Sequence, residues 1–343
     1  MFSQIAYARY RMSDGQPLQS HRTYHVITIG ETTIDAYMTL EHVNQALHAE
    51  KAGGGVCFRL GDKIDVDRYD FSIGGNATNV AVGLTRLGVK AALCSETGDD
   101  EFSIKIRNAL ATERIERVLV KQTHGVSSFA VILNYKGDRT AFVQDVEREH
   151  DFDFLDVTAD YVYITSLGRE WEKPYRKAVE FAKENGSKIA FNPGSRQIHD
   201  GQETVKHVLK HTDILFVNKE EGERLLTGKN IIGSPNDKKY IQELMERLQG
   251  LGPKNVVVTN GKHGSYALNE AKEYFEQPMH PGEPVERTGA GDAFASGYLA
   301  ATIHGKDIQE SMQWGSINAA SVVRHIGAQA GLLKKSALEE SLV

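Results

Sequence analysis

Between Arg287 and Tyr298 the chain reads RTGAGDAFASGY, and four of these residues, Gly289, Ala290, Gly291 and Asp292, have the types and spacing for chemistry. Two glycines around an alanine let the backbone turn tightly and aim several N–H groups into one concavity, just before a helix-compatible run. Unpaired amides at a helix start, helped by the helix dipole, favour phosphate or a developing negative charge. The Asp292 carboxylate would stand beside that anion, where it could take a proton from an attacking hydroxyl. An anion hole next to a base is equipment for phosphoryl transfer. The same residues also fit an ordinary loop in which Asp292 caps the helix, so the rest of the chain must decide.

The elements that would position this turn have a regular grammar. After about Asp151 the short apolar runs YVYITSLG, KIAFNPG, ILFVNKEE and NVVVTNG alternate with helical patterns. Such alternation predicts a mostly parallel sheet covered by helices on both faces, with ligands at the carboxyl ends of the strands. Ser166, Asn192, Asn218, Glu221, Thr259, Gly261 and Gly264 fall at those ends and form one rim with the Gly-Ala-Gly-Asp turn. Earlier, HVITIG predicts a buried strand, and Asp35 follows it, reading by itself as a turn residue. In GGNATNVAVGLTRLG, Gly74 and Gly75 permit close backbone approach to a ligand, and a helix follows with Gly88 as its stop. Ala77, Val80, Ala81 and Leu84 make its apolar stripe, with Asn76 and Asn79 off that stripe in the first turn.

Two regions break the alternation. Residues 36–73 predict a short helix around Leu40 to Ala49, a soft break at Gly53–Gly55, and half-buried strands with Ile64, Val66, Tyr69 and Phe71 on one face. Residues 115–145 predict the strands VLVKQ, SSFAVILNY and RTAFVQ, the last opened by Arg139, whose guanidinium could aim at an anionic ligand. Together they are expected to form a separate small β layer, a lid over the rim. Residues 1–24 are polar without sustained period and are expected to be a flexible extension, leaving 25–343 as the folded unit.

Composition narrows the function classes. A net charge of −6 with both signs interspersed gives no basic face for nucleic acid and no polybasic segment for a membrane. No run approaches the ~18 apolar residues of a span, and no apolar signal core precedes His25, so neither a membrane span nor a secretion signal is expected. Cys57 and Cys94 make neither a disulfide framework nor a metal pattern, which fits a reducing cytoplasm.

GGNATNVAVGLTRLG at 74–88, NKEE at 218–221, TNGKHG at 259–264 and RTGAGDAFASGY at 287–298, in this order, resemble the ribokinase-like, or PfkB, family of carbohydrate and nucleoside kinases over about residues 25–335. The resemblance implies a three-layer α/β/α sandwich with a β-sheet lid. It implies ATP and Mg2+ as cofactors, with Asp292 as the base and the Gly289, Ala290 and Gly291 amides as the anion hole. Asp35, Gly74, Gly75, Asn76 and Asn79 match positions that hold substrate hydroxyls, and Arg139 and Asn192 join them from the reading above. Asn218 and Glu221 match an Asn-x-x-Glu near the phosphates and the hydrated magnesium, which Glu221 would meet through water. Thr259, Gly261 and Gly264 match the nucleotide loop. Asn318 is the candidate for a late-helix asparagine, although the spacing to Gly327 puts Ser316 at the matching position.

The chain departs from the family in carrying Glu286-Arg287-Thr288 where Asp-Thr-Thr is usual, which bears on the family's monovalent-cation site and leaves K+ open. The leading expectation is an ATP-dependent kinase acting on a primary hydroxyl of a sugar or sugar derivative. A nucleoside kinase, with Phe71, Phe129 and Phe142 as an aromatic wall for the base, is one alternative; a non-catalytic sugar- or nucleotide-binding regulator on the same fold is another. The exposed edges of the lid strands suggest a homodimer formed through the lid.

Overall fold

The computed structural model describes residues 22–40, 47–49, 56–135, 138–144, 146–154, 156–229, 231, 236–281 and 285–342. Most of the expected N-terminal extension and the Gly53–Gly55 break lie outside them. The first half of the chain holds β1 (Arg22–Ile29), β2 (Thr33–Leu40), β3 (Leu47–Ala49), β4 (Val56–Phe58), β5 (Arg68–Gly74), α1 (Asn76–Arg86) and β6 (Ala91–Thr97). Next come α2 (Glu101–Thr112), β7 (Val120–Gln122), β8 (Ser128–Tyr135) and β9 (Asp138–Val143). The alternating half runs β10 (Val157–Thr165), α3 (Glu172–Asn185), β11 (Lys188–Asn192), α4 (Ser195–Asp200), α5 (Gln202–Leu209), β12 (Ile214–Asn218), α6 (Lys219–Thr227) and α7 (Lys238–Gln249). It ends with β13 (Asn255–Thr259), β14 (Ser265–Leu268), β15 (Tyr274–Gln277), α8 (Ala290–Ile303), α9 (Ile308–Val322) and α10 (Lys335–Glu340).

Nine strands form the central sheet in the order β15-β14-β13-β12-β11-β10-β1-β6-β7. Pairing is parallel from β7 through β13, and only β14 and β15 run antiparallel. Both faces are buried, as continuous apolar strands require. Ile27, Ile29, Val162 and Ile164 face a core shared with α3, α5 and α7, while Val26, Tyr161 and Tyr163 face one shared with α1, α8 and α9. Each such Val, Leu or Ile contributes about 1.5–3 kcal/mol by leaving water. The expected three layers follow directly from this alternation.

The lid is a four-stranded sheet, β5-β2-β8-β9. Register decides its faces: Asp35 lies opposite Ser72 and Ala130, whereas Phe129 pairs with Ile34, Phe71 with Ala36 and Phe142 with Val131. Asp35 and the three phenylalanines therefore point to opposite sides. Phe129 packs on Phe102 of α2 at 5.4 Å between ring centroids, and Phe71 and Phe142 are exposed on the outer face.

Four expectations are corrected here. Asp35 is inside strand β2 rather than in a turn. VLVKQ contributes β7 to the edge of the main sheet, beside β6, because its partner is another apolar parallel strand and not the lid hairpin. Of the helix expected over Leu40–Ala49, residues 41–46 lie outside the described residues, and Leu47–Ala49 pair as a strand with Val56–Phe58. Ile64 and Val66 belong to no strand, and Tyr69 and Phe71 are exposed, since α2 covers only part of the outer lid face.

Candidate active site

The parallel strands deliver their carboxyl ends to one rim, and the lid closes over it. A cavity of about 550 Å3 lies between them, lined among others by Glu31, Asp35, Asn76, Arg139, Asn192 and Asp292. It opens into a larger cavity of about 880 Å3 lined by Thr259, Gly261, Gly264, His280, Ser316 and Val323. Asn218, Arg287, Ala290 and Gly291 line both.

The junction is the start of α8. Gly289 is the N-cap with φ of 77°, a left-handed conformation that favours glycine, and a Cβ there would come within 2.4 Å of the Ala328 Cβ. Asp292 is consequently the third residue of the helix and makes no capping bond, which removes the bland reading of it as an N-cap. The Gly289, Gly291 and Asp292 amides make no hydrogen bond among the described residues, so this helix start has donors left for an anion.

Asp292 is buried, and its carboxyl is pushed up to about 7, first by loss of hydration and then by the nearby Glu221 and Asp35. The Asn79 hydrogen bond and Arg139 oppose that rise. Asn79 Nδ2 donates to Asp292 Oδ2 at 2.8 Å, while Gln329 Nε2 donates to Asn79 Oδ1 at 2.8 Å. Asn79 also lines the smaller cavity, so its carboxamide orients Asp292 with one N–H while facing the space beside it. Gln329 is in turn held by its loop, whose carbonyls at Gln329 and Leu332 accept from Arg86 Nη1 at 2.7 and 2.9 Å.

At the other end of the smaller cavity, Asp35 accepts from Thr33 Oγ1 at 2.6 Å and Tyr37 Oη at 3.3 Å. Burial raises its pKa, and these two bonds work against the rise. Gly74 pairs opposite Thr33, and a Cβ on it would sit 2.0 Å from Asp35 Oδ2, so only glycine leaves room for the carboxylate. Gly74 acts through Asp35 and does not line the cavity; Gly75 and Asn76 do, and the Asn76 carboxamide makes no hydrogen bond among the described residues. Asn192 lines the cavity with its Nδ2 donating to the Phe216 carbonyl at 2.8 Å. Arg139 reaches down from β9 to Thr288 Oγ1 at 2.5 Å, next to the Gly289–Asp292 turn.

Asn218, which lines both cavities, and Glu221, which lines the smaller one, form a reciprocal capping box at the start of α6: Glu221 N donates to Asn218 Oδ1 at 2.8 Å and Asn218 N to Glu221 Oε2 at 2.9 Å. Glu221 Oε1 stays unbonded among the described residues, and burial raises the carboxyl's pKa. Among the described residues no three His, Cys, Asp or Glu side chains could cage a metal ion. The single Glu221 carboxylate suits a magnesium that keeps its waters and leans on substrate phosphates.

Asn318 is not brought to the cavity. It is fully buried, donating to the Ala293 carbonyl at 2.9 Å and accepting from Leu333 N at 3.0 Å. Two helical positions turn a side chain by about 200°, so Ser316 faces the larger cavity instead and accepts from His280 N at 3.1 Å. Sequence reasoning missed Gln329, which no motif flags, and Glu31, which follows the β1 run. Glu31 lines the smaller cavity with its pKa raised by burial, a rise that His150, Ser128 and Arg148 oppose.

The lid, the parallel sheet and a helix start whose amides make no hydrogen bond among the described residues fit a sugar- or nucleoside-kinase class of protein. A family model described as "pfkB family carbohydrate kinase" matches residues 24–335, and the chain belongs to that family. It is 25% identical over 321 residues to the ATP-dependent 6-phosphofructokinase of Thermoanaerobacterium thermosaccharolyticum, covering 90% of each chain. It is 28% identical to the 5-dehydro-2-deoxygluconokinase of Clostridium tetani, over 87% of this chain and 86% of that one. In fold it is similar to Arabidopsis thaliana ribokinase, solved with ribose and ATP: the TM-score is 0.74 at 19% identity, with 93% and 99% of the two chains covered.

Proposed function

We propose that this kinase transfers the γ-phosphoryl group of ATP to a primary hydroxyl of a sugar or sugar derivative. The observation that carries the proposal is the place of the buried Asp292 carboxyl, beside amides that make no hydrogen bond among the described residues and at the junction of the two cavities. The nucleotide occupies the larger cavity, with its phosphates over Thr259, Gly261 and Gly264 and toward Gly289–Gly291. The acceptor occupies the smaller one, its hydroxyls held by Asp35, Asn76 and Asn192. Asp292 takes the proton of the attacking hydroxyl as the phosphoryl group transfers, and the turn's amides receive the charge on that group. Arg139, already on Thr288, approaches the same anion from the lid. Glu221 is the carboxylate that would hold a hydrated magnesium, which when bound would supply neutralisation of the phosphate charge.

The lid side of the acceptor cavity consists of Ala130, Ile132, Ala141 and Val143, and Phe71, Phe129 and Phe142 lie on the other lid face. Among the described residues the lid therefore offers no aromatic side chain to a nucleobase, which favours a sugar; the phenylalanines that line the cavity are Phe216 of β12 and Phe294 of α8. An intact base and anion hole likewise favour an enzyme over a regulator. Tyr69, Phe71 and Phe142 are exposed on the outer lid face and suit a homodimer formed through the lids. No described helix is long and apolar enough to cross a membrane, both cysteines are free, and a cytoplasmic setting completes the reading. The test is ADP release with Mg-ATP against sugars, sugar phosphates, sugar acids and nucleosides. Acceptor-dependent turnover on a sugar class supports the proposal, and turnover on nucleosides alone overturns its choice of acceptor.

A further inference from the structure

The residue at the family's usual cation-site aspartate is Glu286, and both oxygens of its carboxylate already accept hydrogen bonds. It is 3% exposed, the Thr288 amide donates to Oε1 at 2.7 Å, and the Gly327 amide donates to Oε2 at 3.0 Å. The Thr288 hydroxyl also donates to Oε1 while accepting from Arg139 Nη1 at 2.5 Å. The extra methylene of glutamate spans from the anion-binding turn to the loop at Gly327. That loop abuts the turn, because Ala328 is the residue a Cβ on Gly289 would strike.

These donors present hydrogens to the carboxylate, whereas a bound cation needs lone pairs turned toward it. The neighbouring Val323 carbonyl is spent as well, accepting from Val285 N at 2.7 Å and Glu286 N at 3.1 Å. The Arg139 guanidinium brings a positive charge to the same place, which further disfavours a second cation there. The donor set does not fit the monovalent cation that the family resemblance leaves open.

We propose that Glu286 is a positioning residue that pins the anion-binding turn to the Gly327 loop by direct hydrogen bonds, and that the reaction is consequently indifferent to monovalent cations. The inference rests on the kinase reading above for its activity readout. The experiment measures ADP release by the full chain in KCl, NaCl and choline chloride at equal ionic strength, with Glu286→Gln alongside. Rates within about twofold across the salts are expected. For Glu286→Gln, which turns an N–H against the donor or donors on one of its two oxygens, kcat should fall about 10- to 100-fold while both KM values stay within about threefold. Activation of tenfold or more by K+ over choline overturns the proposal, as does a Glu286→Gln kcat equal to wild type. If the variant fails to fold, the salt series on the unaltered chain still decides. If no acceptor is turned over, the kinase reading fails separately, and the melting shift produced by ADP takes over as the readout. Equal shifts in K+ and choline then support cation indifference, and a larger shift in K+ overturns it.

Discussion

The Asn79 carboxamide stands between Gln329 and Asp292, taking a hydrogen bond at 2.8 Å from the first and giving one at 2.8 Å to the second. This order fixes which end of Asn79 faces Asp292: its N–H stabilises the charged carboxylate and limits how far burial raises the pKa. Asn79→Ala should therefore move the acid limb of the kcat/KM profile upward by about one pH unit and lower the rate at neutral pH about tenfold. The pH profiles of variant and wild type check this.

For the wild type, a proton must be absent from Asp292 in the free enzyme. With its carboxyl pushed up to about 7, kcat/KM should fall about tenfold for each pH unit below that value. The stability effect has the opposite slope. Between the ordinary aspartate value of 3.8 and about 7, the folded state keeps a proton that the unfolded state has lost. Raising the pH through that window destabilises the fold by about 1.4 kcal/mol for each pH unit crossed. Asp292→Asn removes the liability, so its melting temperature should gain on wild type between pH 5 and pH 8; a gap independent of pH would count against the assignment.

Gly74→Ala puts a methyl 2.0 Å from Asp35 Oδ2. The carboxylate must swing away from its Thr33 and Tyr37 partners, so the acceptor KM should rise by about 10- to 100-fold with the KM for ATP nearly unchanged. Steady-state kinetics with each substrate varied in turn separate the two.

Asn318→Ala should behave as a structural change. It removes the tie from α9 to the Ala293 carbonyl and the Leu333 amide and leaves both buried groups without it. A loss of about 1–3 kcal/mol in chemical denaturation is expected, with the KM for ATP within twofold of wild type.

The alternating apolar runs made the parallel sheet legible, because strands buried on both faces have to be continuously apolar. The glycines of the two motifs were legible for a similar reason: Gly74 and Gly289 stand where a Cβ would collide with Asp35 or Ala328. What the chain order hides is which residue meets which across long loops. Gln329 reaches Asn79 only through the fold, and Asn318 differs from Ser316 only by the helix face it occupies. The lid aromatics show the same limit. Alternation places Tyr69 and Phe71 on one face, but only the register with β2 and β8 shows that this face turns away from the cavity.

The central claim is that Asp292 is the base of a phosphoryl transfer, and the most direct measurement is ADP release by Asp292→Asn with Mg-ATP and an acceptor that wild type turns over, with ATP affinity measured separately. A fall in kcat of about 100-fold or more is expected, with ATP affinity within about threefold of wild type. Equal turnover by variant and wild type would contradict it.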